Sequence, residues 1–207
     1  MCYCRNFIIL CFSCFAITSE GCEIKTQDNL PVYTAKIELA YPLPVVLAAL
    51  SDVEHLNQWL ILANKASVIS ESGRAVNVHL FLNGAMGQQD VVLRTFLDDD
   101  KRADKLSICM ESIESQLLPN VSRLKMLNVK WTLLAAGQAN TVLTLNMQVN
   151  TGFSIPFWFN GFVRLAPQKS LDNLKAYLGK TTAYQQPLAF IKAVDKQGFF
   201  NEVLVGW

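Results

Sequence analysis

Six strand-like segments in succession, followed by one long helical pattern, constrain this chain more than any single motif. The segments fall at 66–71, 75–82, 90–97, 105–111, 123–131 and 142–149. Their separators are Ser72-Gly73, Asn83-Gly84, the charged stretch 98–104, Leu118-Pro119-Asn120 and Ala136-Gly137-Gln138, all turn-forming chemistry. This spacing predicts successive hairpins. Upstream, Val32 to Tyr41 alternates and is β-rich, a first strand. After Pro42-Leu43-Pro44, residues 45–63 have helical spacing. Pro44 suits a first helical turn, and Ser51-Asp52 supplies an interruption and an N-cap for a second short helix through Trp59. An antiparallel meander has one face to hide and the late helix one stripe to hide, so the order predicts an α+β domain.

Composition narrows the function. Eighteen Lys and Arg against 17 Asp and Glu leave a formal charge of +1, which offers no broad footprint for nucleic acid or an acidic substrate. A chain of 207 residues is read as one domain able to bury most of its apolar surface without staples. Its two histidines, His55 and His79, fall on different predicted elements and leave little material for a metal cluster or a histidine-based triad. Residues 84–87 are too short for a phosphate loop and precede no helical pattern. No cofactor, no metal and no catalytic residue is therefore expected.

The N-terminus is compositionally separate. Residues 1–22 carry one basic residue, Arg5, before the apolar run Phe7 to Ile17, which has the length of a signal-peptide core and is short for a transmembrane helix. A periplasmic or secreted protein is expected. A lipoprotein anchored at Cys22 is the lesser alternative, because the residues before it lack the usual leucine three places upstream. Residues 23–31 read as a polar leader. Once residues 1–22 are set aside, Cys22 and Cys109 remain, a pair compatible with one disulfide, although a small buried strand cysteine at 109 explains that residue as well.

The long pattern begins in an aromatic cluster, Phe153 to Phe162. On a helix starting near Pro156, Phe159 and Val163 form one row, continued by Leu171, Leu174 and Leu178. Trp158, Phe162 and Leu165 form an adjacent row. Pro167 removes a backbone donor and is expected to split or kink the helix after Leu165 or Ala166. Its polar side mixes Arg164, Lys169 and Lys175 with Asp172, unlike the strongly basic face of an interfacial helix. Periodicity leaves three readings of the cluster open: a core helix, a membrane-touching patch, or one wall of a ligand site.

Three stretches resemble START-type lipid-transfer domains, particularly bacterial ones, within the helix-grip superfamily that also holds polyketide cyclases and birch-pollen-allergen-like proteins. Residues 43–60 look like the helical pair after the first strand, ending at Trp59. Residues 82–96 occupy the place of a tryptophan-proline and an arginine-aspartate; the first is absent here, and Gln89-Asp90 replaces the second. Residues 152–178 match the glycine, isoleucine-proline, tryptophan and asparagine pattern that opens the C-terminal helix. The resemblance covers about residues 32–178 and leaves 179–207 as a C-terminal extension expected to pack on the domain.

What the resemblance implies is a helix-grip fold: a curved antiparallel sheet around the long C-terminal helix, with an apolar tunnel between them for a lipid, sterol-like or fatty-acid-like molecule. A monomeric, non-catalytic carrier follows, with transient membrane contact as an open point. Carried across, Trp59, Phe153, Trp158 and Phe162 become the main candidates for ligand contact. Phe81 and Phe96 are weaker, because a one-residue error in strand phase reverses the face they occupy. The ambiguity extends to Met110, Trp131 and Met147. Arg94, if inward, needs Glu111, another carboxylate or a polar ligand group. Two rivals remain. A cyclase- or hydratase-like enzyme requires an inward His79 or paired carboxylates, and a protein-interaction module requires a filled core with an exposed tail of Phe190, Ile191, Val194, Phe199 and Phe200.

Overall fold

A computed structural model describes residue 24 and residues 30–195, apart from 73–74, 85–86, 99–104, 116–120 and 155–156. The elements in chain order are β1 (Tyr33–Leu39), α1 (Leu43–Ser51), a 3₁₀ helix (Val53–Gln58), β2 (Ala63–Ser72), β3 (Ala75–Gly84), β4 (Gly87–Asp98), β5 (Lys105–Ser112), β6 (Ser122–Arg123), β7 (Met126–Ala135), β8 (Thr141–Asn150), α2 (Phe157–Leu178) and α3 (Pro187–Val194). The fold is α+β: a curved, open antiparallel sheet with the long helices at its C-terminal end.

The strands run β1-β8-β7-β5-β4-β3-β2 across the sheet, with β6 beside β4. All neighbours on that path are antiparallel; β6 alone pairs in parallel, through Gln89↔Ser122 and Asp90↔Arg123. The expected strand 123–131 is thus broken at Leu124-Lys125. Leu124 N–H bonds the Asp90 carbonyl at 3.0 Å, which holds this segment against β4 before β7 begins. Two irregularities in the β2–β3 register, at Ala63/Lys65 and Val68/Ser70, are of the kind that bend an edge strand.

Alternation decides which face is inside. Along β7, Leu127, Val129, Trp131 and Leu133 are buried while their neighbours are only partly covered. The register carries this phase to Val149, Met147, Leu145 and Leu143 on β8 and to Met110, Ile108 and Leu106 on β5. Continued through β4 and β3, it selects Gln89, Val91, Leu93 and Thr95, then Val76, Val78, Leu80 and Leu82. Leu39, Leu133, Leu143, Leu171 and Leu174 are fully buried in the resulting core, each burial contributing about 1.5–3 kcal/mol.

The short helices are held by polar contacts as well as by packing. Apolar α1 buries Leu43, Val46, Leu47, Ala48 and Ala49, and it packs against α3 and β7. The expected cap at Ser51-Asp52 takes a different form. Ser51 Oγ donates to the Ala48 carbonyl, while the Asp52 carboxylate pairs with His55 Nδ1 at 2.9 Å and accepts from Tyr184 Oη at 2.8 Å. Helix α2 runs unbroken through Pro167, so the expected split does not occur. Ser170 secures the turn beyond the proline: its Oγ donates to the Ala166 carbonyl at 2.8 Å and accepts from Ile61 N–H at 3.2 Å. The helix is also narrower in its apolar face than its composition implies, since Leu165 is 53% exposed.

Candidate ligand cavity

A cavity of about 100 Å³ lies between the inner face of the sheet and α2. Strands β3, β4, β5, β7 and β8 supply Leu80, Leu82, Leu93, Met110, Leu127, Val129, Trp131, Leu145, Met147 and Val149. Helix α2 supplies Phe159, Val163, Ala166, Pro167 and Ser170, and the turn after the 3₁₀ helix supplies Leu60, Ile61 and Leu62. Gln89, Ser170 and Thr151 are the polar side chains on this lining. Two of them are spoken for, Ser170 as above and Thr151 Oγ1 by the Phe153 carbonyl at 2.8 Å.

A second cavity of about 90 Å³ adjoins it toward α3, lined by Leu50, Val53, Leu56, Trp59, Val68, Val76, Val78, Thr95, Ile108 and Val194, with Ser51, Glu71 and Asp195 among the polar groups. Leu60, Met110 and Trp131 belong to both linings. Dry apolar cavities of roughly 150 Å³ take up a molecule the size of benzene. Each cavity as it stands is thus on the scale of a small apolar group, and a longer molecule enters by displacing side chains or the helix. Leu62, on the lining of the first cavity, has φ of 67°, a left-handed conformation that costs a branched residue on the order of 1–3 kcal/mol. Its carbonyl accepts from Asn83 N–H at 2.8 Å, which ties the turn to the end of β3.

The sequence candidates fall into different places. Trp59 is buried, 1% exposed, with its ring edge-on to Trp131 at 5.8 Å and on the wall of the second cavity. Met110, Trp131 and Met147, ambiguous by phase, all face inward. Phe81, Arg94 and Phe96 lie one step out of phase, on the outer face, and the expectation that they contact an enclosed ligand is corrected accordingly. Phe81 stacks on His79 at 4.3 Å, and exposed Arg94 lies over the Phe96 ring at 5.9 Å with Glu111 opposite on β5. Phe153 is 39% exposed beyond the end of β8. Phe162 is half-buried and stacks on Phe159 at 5.4 Å; on α2 the Phe159/Val163 row faces the cavity, whereas the adjacent row that includes Phe162 does not line it. The Trp158 side chain lies outside the described residues.

The outer face carries its own polar cluster. Asp90, 1% exposed, pairs with His79 Nε2 at 2.8 Å and accepts from Arg123 Nε at 3.0 Å and from Arg123 Nη2. Arg123 Nη1 also reaches the Ser115 carbonyl at 2.9 Å. Burial pushes the Asp90 carboxyl up, but the hydrogen bonds from Arg123 and His79, together with their charges, more than offset it and hold it below the ordinary carboxylate range. The Arg123 guanidinium is raised by the same hydrogen bond. Across the molecule, burial and the bonds to Tyr177 and Asp52 push the Tyr184 phenol up, so it stays protonated as a donor. Among the described residues no group of His, Cys, Asp and Glu has the arrangement of a metal site. Cys109 is fully buried on β5 and disulfide-bonded, while Cys22 lies outside the described residues.

No protein-family model matches this chain, and no curated protein sequence matches it significantly. Solved structures do match in fold. The STAR-related lipid transfer protein from Xanthomonas axonopodis (fragment 25–204) is 18% identical with a TM-score of 0.65, over 73% of this chain and 87% of that one. Human STARD10 is 15% identical with a TM-score of 0.66, over 79% and 69%. The di-domain ARO/CYC BexL, from the BE-7585A biosynthetic pathway, is 14% identical with a TM-score of 0.53, over 76% and 48%. The chain therefore has the START, or helix-grip, fold. At these identities the likeness defines architecture, which proteins of different activities share.

Proposed function

We propose that this protein binds and carries an apolar small molecule between the sheet and α2, without transforming it. The observation that carries the reading is the lining of the first cavity, apolar except for Gln89, Ser170 and Thr151, and built from five strands and the long helix at once. The fold likeness to a protein named for lipid transfer supports the same ligand class. Neither histidine lines either cavity: His79 is held by Asp90 on the outer face and His55 by Asp52 at the end of α1. That supports binding over histidine-based proton transfer, which needs the imidazole at the reacting atom; the titratable side chains on the linings are the carboxylates Glu71 and Asp195, both in the second cavity. Export is part of the proposal, supported by the N-terminal pattern and by a disulfide-bonded Cys109, since such bonds persist in oxidising compartments.

The direct test is saturable binding of diphenylhexatriene, a wholly apolar fluorescent probe, to the purified protein and to Val163→Phe. Val163 is 7% exposed and faces the cavity. The larger ring fills that space at a cost of about 1–3 kcal/mol in stability and is expected to weaken the probe at least tenfold, an effect of roughly 1.4 kcal/mol. Equal binding by both folded proteins places the probe elsewhere and refutes the assignment.

A further inference from the structure

Three hydrogen-bond donors without partners stand on the walls of the two cavities. In the first, Gln89 is 5% exposed and its Nε2 is buried without a partner. In the second, Trp59 Nε1 and Thr95 Oγ1 are buried without a partner, on a Trp59 side chain that is almost wholly enclosed. A buried donor left unpaired is costly in a folded protein, and an acceptor brought in by an occupant relieves that cost. The donors are spaced along the sheet: Gln89 lies in the first cavity, while Thr95, opposite Met110 on β5, and Trp59, edge-on to Trp131, stand in the second beside the wall the two cavities share. Gln89 and Thr95 share the inward phase of β4, six residues apart, a separation of about 20 Å along a strand. Leu60, Met110 and Trp131 form the wall common to both cavities, and an unbranched methionine is among the easiest side chains to displace.

We propose that the two cavities are halves of one channel, and that its ligand is a long, uncharged, apolar molecule with a hydrogen-bond acceptor at each end. Gln89 Nε2 takes one acceptor; Trp59 Nε1 and Thr95 Oγ1 take the other. Uncharged follows from the linings, where the ionisable side chains are Glu71 and Asp195 and no Lys, Arg or His is present among the described residues to pair with a carboxylate. This rests on the reading that the interior binds an apolar molecule, and it adds what the two ends of that molecule must be.

The test uses the full-length protein and three probes of equal chain length: hexadecane, methyl hexadecanoate and dimethyl hexadecanedioate, each competing against bound diphenylhexatriene. Variants are Gln89→Leu at one end and Thr95→Val at the other, with Trp59→Phe as a second check at the Thr95 end. The expected result is that Gln89→Leu and Thr95→Val each weaken the diester about tenfold relative to the wild type, the size of one lost hydrogen bond, while hexadecane is unchanged. Diester competition that stays the same in both variants, with diphenylhexatriene still bound, overturns the two-ended ligand and leaves the apolar-binding reading standing. A loss at one end only also overturns it. Folded wild-type protein that binds no diphenylhexatriene removes the underlying reading as well. If Trp59→Phe unfolds, Thr95→Val alone decides that end.

Discussion

Asp90 shows how one residue links the site to stability. Its carboxylate holds His79 and Arg123 on the outer face, while its backbone carbonyl holds Leu124, whose side chain lines the first cavity. Because the native pKa of Asp90 lies below the unfolded value, its contribution is complete above the unfolded pKa of about 4 and is lost as pH falls through the native value. Urea unfolding at falling pH is expected to show that loss in the wild type and not in Asp90→Asn. The variant itself is expected to be less stable by about 3–5 kcal/mol, since it leaves a largely buried guanidinium without its counter-charge. Strand phase is the residue-scale property that the sequence left undecided. Phe81, Arg94 and Phe96 have the right composition for a wall and the wrong parity, and only pairing of β4 with β3 and β5 settles it. Gln89 was visible as a departure from an arginine, but its isolation in an apolar cavity depends on the residues that surround it.

At the scale of elements, order and type were legible where hydrophobic period was long and unbroken: the hairpins, the pair of short helices, and α2. Two features were not. The break before β7 arises from a tertiary contact, Leu124 with Asp90, which leaves no local signal. Pro167 removes a donor from α2, yet packing of Val163, Ala166 and Leu171 on either side keeps the helix whole. The C-terminal extension was legible as an apolar tail expected to pack on the domain, with a surface for another protein as the alternative. In the structure α3 lies on α1, Ile191 is fully buried, and the Tyr184 ring meets Phe190 edge-on at 5.0 Å. Ile191→Ala is accordingly expected to cost about 2–5 kcal/mol in urea unfolding, with one cooperative transition, as for a residue of the main core. A cost below about 0.5 kcal/mol contradicts the view that the extension is part of the domain.

For the whole molecule, the sheet supplies breadth and α2 supplies closure, so the interior exists only when both are in place. Periodicity alone describes the aromatic cluster as a covering helix; the space beneath Phe159 and Val163 appears only once β3, β4, β5, β7 and β8 are assembled around them. Compartment is a property at this scale too. Protein recovered from its source is expected to have a mass lacking roughly the first 20 residues, in keeping with the length of a secretory signal, and retention of that segment contradicts export. Occupancy of the interior is read by native mass spectrometry of gently purified protein. One apolar molecule is expected bound per chain, released on unfolding and absent from Val163→Phe. A bare chain in repeated preparations, with no saturable uptake of an apolar probe, contradicts it.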